Sequence, residues 1–232
     1  MVIHAALHHG VRAVGITLAR EQAELARRRV EEAGVADRVE IRFQDYRDIV
    51  DRDGDESFDA ISSIGMFEHV GREQLRAYFR MLLAALRPGG RLLNHAISSP
   101  DTVGGRVPPR SFIGRYVFPD GELLEVGQVV TAMQDLSYEV RDVESLREHY
   151  ALTLRAWVEN LERNWDDLVE RVGIGRARVW RLYMAASAVN FEANRTAIHQ
   201  VLGVKTTGHG DSGMARTRAA FAALEAPSYS LT

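Results

Sequence analysis

Apolar and polar residues alternate with two different periods along the first half of this chain. Residues 39–43 switch at every position, Val39, Ile41 and Phe43 against Glu40 and Arg42, and predict a strand. Residues 11–16, rich in Val, Ala and Ile, predict another. Between them, residues 20–33 place Ala23, Ala26 and Val30 on one helical face, and Gly34 supplies the stop. Residues 58–62 read as the next strand. Residues 72–86 read as an amphipathic helix halted by Pro88-Gly89-Gly90, and 91–97 as a strand. Strands and helices in this alternation build parallel βαβ units, so the fold class is α/β.

The second half follows a different plan. Residues 98–121 are rich in Gly and Pro and predict a long loop with one helical turn, the usual form of a lid or binding segment. A strand follows at 138–143, helices at 151–172 and 177–192, and a last strand at 196–204. Gly173-Ile174-Gly175 follows no strand and reads as a helix–helix turn. The stripe Val179, Leu182, Tyr183, Ala186 and Val189 reads as core packing in preference to an acyl channel. Residues 206–232 are polar, alanine-rich and aperiodic, and predict a disordered tail behind one domain over 1–205.

Composition narrows the function. With 46% hydrophobic and 26% charged residues over 232, the chain can bury one sizeable core. A net charge of -3 supplies no basic field for nucleic acid. The absence of cysteine excludes disulfides, a thiolate nucleophile and zinc-finger spacing. Apolar runs such as residues 81–86 fall far short of the roughly 20 residues that span a bilayer. The amino terminus lacks the basic start and apolar core of a signal peptide, which predicts a cytoplasmic protein. Lys205 is the only lysine, and the arginines are spread along the chain, so codon bias explains them better than a phosphate site does.

Ligands of open α/β sheets sit beyond the carboxyl ends of the strands. That edge collects residues 17–22, 44–46, 63–68 and 95–98. Thr17, Gln22, Asp45 and Tyr46 are the types that meet a ribose and a base, although Thr17 equally suits a helix start and Asp45 a turn cap. Glu68 stands beside small residues and Phe67, where a carboxylate can work inside a pocket. With His95, after the following strand, it suits proton handling or the anchoring of a small polar species. A structural hydrogen bond is the competing role for His95. His69 and His8-His9 suit structural and solvated roles, and no HExxH-like spacing points to a metal.

These segments together, with Phe118-Pro119-Asp120-Gly121, residues 148–154 around Tyr150, and His199-Gln200, are recognisable. The chain resembles the cyclopropane-fatty-acid synthases and the related mycolic-acid and fatty-acid methyltransferases, in family order over nearly its whole length. The resemblance implies a class I methyltransferase fold, Rossmann-like, mostly parallel, with an antiparallel last strand and a helical cap at 151–192. It implies S-adenosylmethionine as cofactor, touched by Thr17 and Gln22, with Asp45 and Tyr46 flanking the adenine and Ile64 beside the active site. Glu68, His95 and Tyr150 match residues that hold a bicarbonate next to the transferring methyl. The implied substrate is the cis double bond of unsaturated phospholipid acyl chains at the membrane surface, giving a cyclopropane or a methylene or methyl branch. Such an enzyme is cytoplasmic and peripheral to the membrane; no motif chooses between monomer and homo-oligomer.

Three departures qualify the match. The family's glycine-rich cofactor loop and its strand would precede residues 2–6, so the first strand is expected to be missing, its neighbours to carry unpaired edges and cofactor binding to be weak. A truncated, non-catalytic remnant or interaction protein that cannot bind the cofactor is the alternative expectation. Ser187 stands where the cyclopropane synthases carry a cysteine, which favours a branched product. Ala19 replaces a frequent Ser and removes a helix cap worth about 1 kcal/mol.

Overall fold

Val2, Ile3 and Ala6 recur at helical spacing on the first element, α1 (Val2–His9), which ends at Gly10 with φ 63°. They meet Val30, Val35 and Val39 in a small core. Around it lie β1 (Ala13–Thr17), α2 (Arg20–Glu32), β2 (Val39–Phe43) and α3 (Ile49–Asp53). β1 and β2 pair in parallel, Ala13 with Val39 through Thr17 with Phe43. The computed structural model describes residues 1–101 and 105–217. Residues 102–104 of the expected loop and 218–232 of the expected tail lie outside the described residues. The chain divides into two compact units, 1–55 and 56–232.

The larger unit contains β3 (Phe58–Ile64), α4 (Leu75–Ala85), β4 (Leu86–Ser98), α5 (Phe112–Tyr116), α6 (Val126–Asp135), β5 (Tyr138–Ser145), α7 (Arg147–Arg163), α8 (Trp165–Val172), α9 (Ile174–Glu192) and β6 (Ala197–Lys205). Its sheet runs β3-β4-β6-β5. β3 and β4 are parallel, and β6 is antiparallel to both β4 and β5. The mixed α/β architecture and the antiparallel last strand are those the resemblance implies. Among the described residues β1 pairs only with β2, and β3 only with β4.

Side chains of β4 alternate between two environments. Leu92, Asn94, Ala96 and Ser98 point to a buried face, where Tyr78 of α4 donates to Asn94 Oδ1 at 3.0 Å. Ile97 points the other way, into a cluster of Ala151, Leu154, Ala188, Phe191 and Ile198 from α7, α9 and β6. Residue 95 shares that second face by strand periodicity. This alternation decides which residues of β4 meet the helical cap.

Several elements depart from the sequence reading, three of them with a clear physical reason. Pro88-Gly89-Gly90 does not precede the strand but interrupts it. β4 begins at Leu86, paired with Phe58, and the register jumps so that Ala60 next meets Arg91. Gly89 sits at φ 83°, and a Cβ on Gly90 would lie 2.7 Å from Arg87 O, so the bulge needs glycine. The helix expected over 151–172 starts at Arg147 and breaks at Asn164, whose backbone N–H and Nδ2 both donate to Asn160 O, at 3.2 and 2.8 Å. α6 was not foreseen, although it buries Val129, Ala132 and Met133.

Candidate active site

In the smaller unit, four predicted residues gather at two strand ends. Thr17 closes β1; its Oγ1 donates to Gln22 Oε1 at 3.0 Å and accepts the Ala19 N–H at 3.1 Å. Thr17 Oγ1 thus closes the turn into α2 on the Ala19 N–H, while Ala19, at the N-cap position, makes no side-chain capping bond. The Gln44 N–H donates to Thr17 O at 3.1 Å and ties the two strand ends together. Asp45 caps the 3-10 turn that follows, accepting the Arg47 N–H at 2.9 Å. The Arg47 guanidinium also grips Asp45 at 3.0 and 2.6 Å, and holds its carboxyl below the usual range. The turn-capping role is thus realised in the structure. Burial raises the Tyr46 phenol.

Gln44 was not singled out in the sequence. Both its side-chain oxygen and its nitrogen are buried without a hydrogen-bond partner, a costly arrangement that a polar ligand would relieve. With the Thr17 hydroxyl and the Gln22 amide nearby, this polar set fits the ribose and base of a nucleoside cofactor. Only its unmet hydrogen-bonding capacity marks Gln44; no sequence pattern does.

The larger unit holds the other four. β3 ends at Ile64, half-exposed and paired in register with His95. Gly65 at φ 65° turns the chain into a 3-10 turn that buries Phe67 and Glu68. Glu68 Oε1 accepts the Ile97 N–H at 2.7 Å, while Oε2 is buried with no partner. Burial pushes the carboxyl above its ordinary range, and the Ile97 bond offsets this only in part. The Glu68 backbone oxygen accepts the Glu122 N–H at 2.9 Å.

His95 lies within β4, inside the strand expected over 91–97 and not beyond its end as its grouping with the edge residues 95–98 supposes. Gln200 Nε2 donates to its Nδ1 at 3.2 Å, leaving the ring proton on Nε2. Burial keeps the imidazole neutral to lower pH than usual. Tyr150, on α7, stacks edge-on against Phe191 at 5.0 Å and Trp157 at 5.9 Å. Its hydroxyl is raised by burial first, then by Tyr183 and Glu68.

Tyr183 had been read as core and is better described as a wall of this site. Its ring meets Phe118 and Trp180 edge-on, each at 5.7 Å, and its hydroxyl bonds to Ser187. The Glu68 charge acts on it as on Tyr150. Its helical spacing was compatible with either role. His69 rests edge-on against Phe118 at 5.7 Å, a packing contact. No cluster of metal-ligating side chains occurs among the described residues. A separate recess of about 330 Å³, lined by Arg147, His199 and Glu125 among others, contains none of the eight predicted residues.

A buried carboxyl with one oxygen tied and one open, acting on two half-buried phenols, with a half-buried imidazole on the strand it bonds to, can hold a small polar or anionic species in a largely apolar wall. The family model described as mycolic acid cyclopropane synthetase matches residues 1–201. A probable fatty acid methyltransferase of Mycobacterium tuberculosis is 44% identical over 92% of this chain and 49% of its own. One from Pseudomonas putida is 42% identical over 92% and 54%. The cyclopropane-fatty-acyl-phospholipid synthase of Escherichia coli K12 is 33% identical over 86% and 49%. The chain thus spans about half the length of the curated relatives it matches. The structure of the cyclopropane synthase MmaA2 from Mycobacterium tuberculosis superposes with TM-score 0.74 at 23% identity, covering 86% of this chain and 72% of that one, which shows the fold.

Proposed function

We propose that this chain, which belongs to the mycolic acid cyclopropane synthetase family, serves S-adenosylmethionine-dependent methyl transfer to the cis double bond of unsaturated phospholipid acyl chains. The product is a cyclopropane or a methylene branch, which a separate reductase could saturate to a methyl branch. The observation that carries this reading is Glu68, a buried carboxyl with an unpartnered Oε2 between the fields of Tyr150 and Tyr183.

S-adenosylmethionine, when bound, supplies an electrophilic methyl group. Thr17, Gln22 and Gln44 are the side chains proposed to hold its nucleoside, with Asp45 and Tyr46 flanking the base and Ile64 beside the transferring methyl. An alkene is a weak π nucleophile, so orientation and exclusion of water must supply much of the rate. Phe118, Tyr150, Tyr183 and Phe191 provide that dry wall. Their ring faces also suit the carbocation formed when the double bond takes the methyl. The cation must then lose a proton: from the new methyl, with closure onto the cationic carbon, for a cyclopropane, or from that methyl after a 1,2-hydride shift for a methylene branch.

The residues of the Glu68 group fit a bound bicarbonate, which would supply the base. Glu68 Oε2, His95 Nε2 and the Tyr150 hydroxyl are the atoms proposed to hold it; the last two donate, and a proton on Glu68, which burial favours, would let it donate as well. Groups that hold an anion in this way suit positioning the base better than being it. The neighbouring Ser187, bonded to Tyr183, adjusts this wall and favours the branched outcome.

Calorimetry of the 232-residue chain with S-adenosylmethionine, followed by mass analysis of unsaturated phospholipid after incubation, tests the reading. Micromolar binding and gain of a methylene unit by the acyl chain support it. No binding assigns the chain to the non-catalytic alternative.

A further inference from the structure

α9 is apolar on both sides. Its inward side, Ala177, Ala188 and Phe191, is almost fully buried against α7 and β6. Its outward side carries Ile174 at 44%, Leu182 at 56% and Val189 at 50% exposure, with exposed Ala185 and Ala186 between the last two. These positions recur at helical spacing and form one stripe along the helix. Three of the five residues of the stripe expected to be core, Leu182, Ala186 and Val189, therefore face solvent. A helix that is hydrophobic all round is ordinarily covered.

The charge on this helix indicates by what. α9 carries three arginines, Arg176, Arg178 and Arg181, and a single carboxylate, Glu192 at its last residue, which pairs with Arg155 of α7. Arg178 sits within the stripe, between Ile174 and Leu182, and forms no ion pair among the described residues. Arg181, on its flank, lies over the Trp165 ring at 4.9 Å and only 4.0 Å from Glu162. An apolar stripe edged with arginine suits the boundary between acyl chains and anionic headgroups. No helix among the described residues is long and apolar enough to cross a membrane, so α9 would lie on the surface and not span it.

We infer that the outward stripe of α9 docks this protein on anionic phospholipid membrane, with Ile174, Leu182 and Val189 entering the headgroup boundary and Arg178 and Arg181 meeting the phosphates. The inference names the surface through which the proposed lipid methylation would reach its substrate, and in that sense rests on that reading. A second copy of the chain is the rival occupant of the stripe.

The test is co-sedimentation of the full chain with phosphatidylglycerol-containing vesicles and with neutral phosphatidylcholine vesicles. Binding is expected to the anionic vesicles and to weaken with salt. The combined Ile174→Ser, Leu182→Ser and Val189→Ser variant should lose binding at least tenfold, as should Arg178→Glu with Arg181→Glu. Unchanged melting and circular dichroism confirm that these exposed changes leave the fold intact. Equal binding by either folded variant overturns the inference, as does failure of the unaltered chain to bind. Concentration-dependent dimerisation that the serine variant abolishes, without vesicle binding, overturns it in favour of a second copy. Vesicle binding requires no turnover and should survive Glu68→Ala, so failure here is distinguishable from failure of the methylation reading, which calorimetry and that variant address.

Discussion

Gln200 donates to His95 Nδ1 across the β4–β6 pair, a register partner fixing the tautomer of a candidate catalytic imidazole. Gln200→Leu removes that donor while retaining the bulk. If His95 donates through Nε2, the variant should lose about tenfold in kcat, with S-adenosylmethionine affinity unchanged by calorimetry. Gln200→His, which can still donate, should recover part of the loss.

Glu68→Ala should lower methylation about 100-fold or more, within the range of positioned acid–base groups, while cofactor binding stays within a few-fold of the unaltered chain. Radiolabelled methyl incorporation and calorimetry on the same preparation read the two quantities. Retained turnover would remove Glu68 from the mechanism.

The same carboxyl should make stability depend on pH. Burial raises its folded pKa above the unfolded one. Between those values the folded state binds more protons than the unfolded state, so stability is greatest below the window and falls as pH rises through it. Glu68→Gln removes the buried charge, and should melt higher than the unaltered chain at neutral pH. The gap should close in acid. Melts between about pH 4 and 8 decide this.

Gln44→Leu would exchange an unsatisfied buried amide for apolar bulk. The fold should be unharmed or slightly steadier, whereas affinity for S-adenosylhomocysteine should fall about tenfold through loss of one or two hydrogen bonds. Unchanged affinity would exclude Gln44 from the nucleoside site.

Tyr78→Phe tests the opposite face of the sheet. It strands Asn94 Oδ1 in a fully buried position and should cost about 1–3 kcal/mol. That is a drop of roughly 2–4 °C in Tm per kcal/mol for a domain of this size.

Local pattern made much of this molecule legible. β2 falls at the residues its alternation marks, Val39–Phe43, and α2 ends one residue short of its predicted close. Glu68, at the end of a strand-like run, was identifiable as a candidate because residue type and edge position coincide. Other features depend on partners distant in sequence. The role of Pro88-Gly89-Gly90 as a bulge follows from the pairing of β4 with β3, which no local window contains. The inward and outward stripes of α9 are nearly alike in composition, so periodicity shows both and cannot say which one α7 covers. The unsatisfied amide of Gln44 and the closeness of Tyr183 to Glu68 exist only once the chain has folded.

The Ile97 N–H has one further consequence. β3 turns away after Ile64, and its backbone reaches β4 once more, where the Gly65 N–H donates to His95 O at 3.0 Å. Two residues along β4, the Ile97 amide points to the side β3 has left, and Glu68 Oε1 takes the place of the absent strand carbonyl. The rung at Ile97, between the Gly65 bond to His95 and the Ser99 N–H bond to Leu124 O, is therefore a side chain that titrates. Amide exchange at Ile97 should report the protonation of Glu68 directly, making a single backbone proton a gauge of the site's charge.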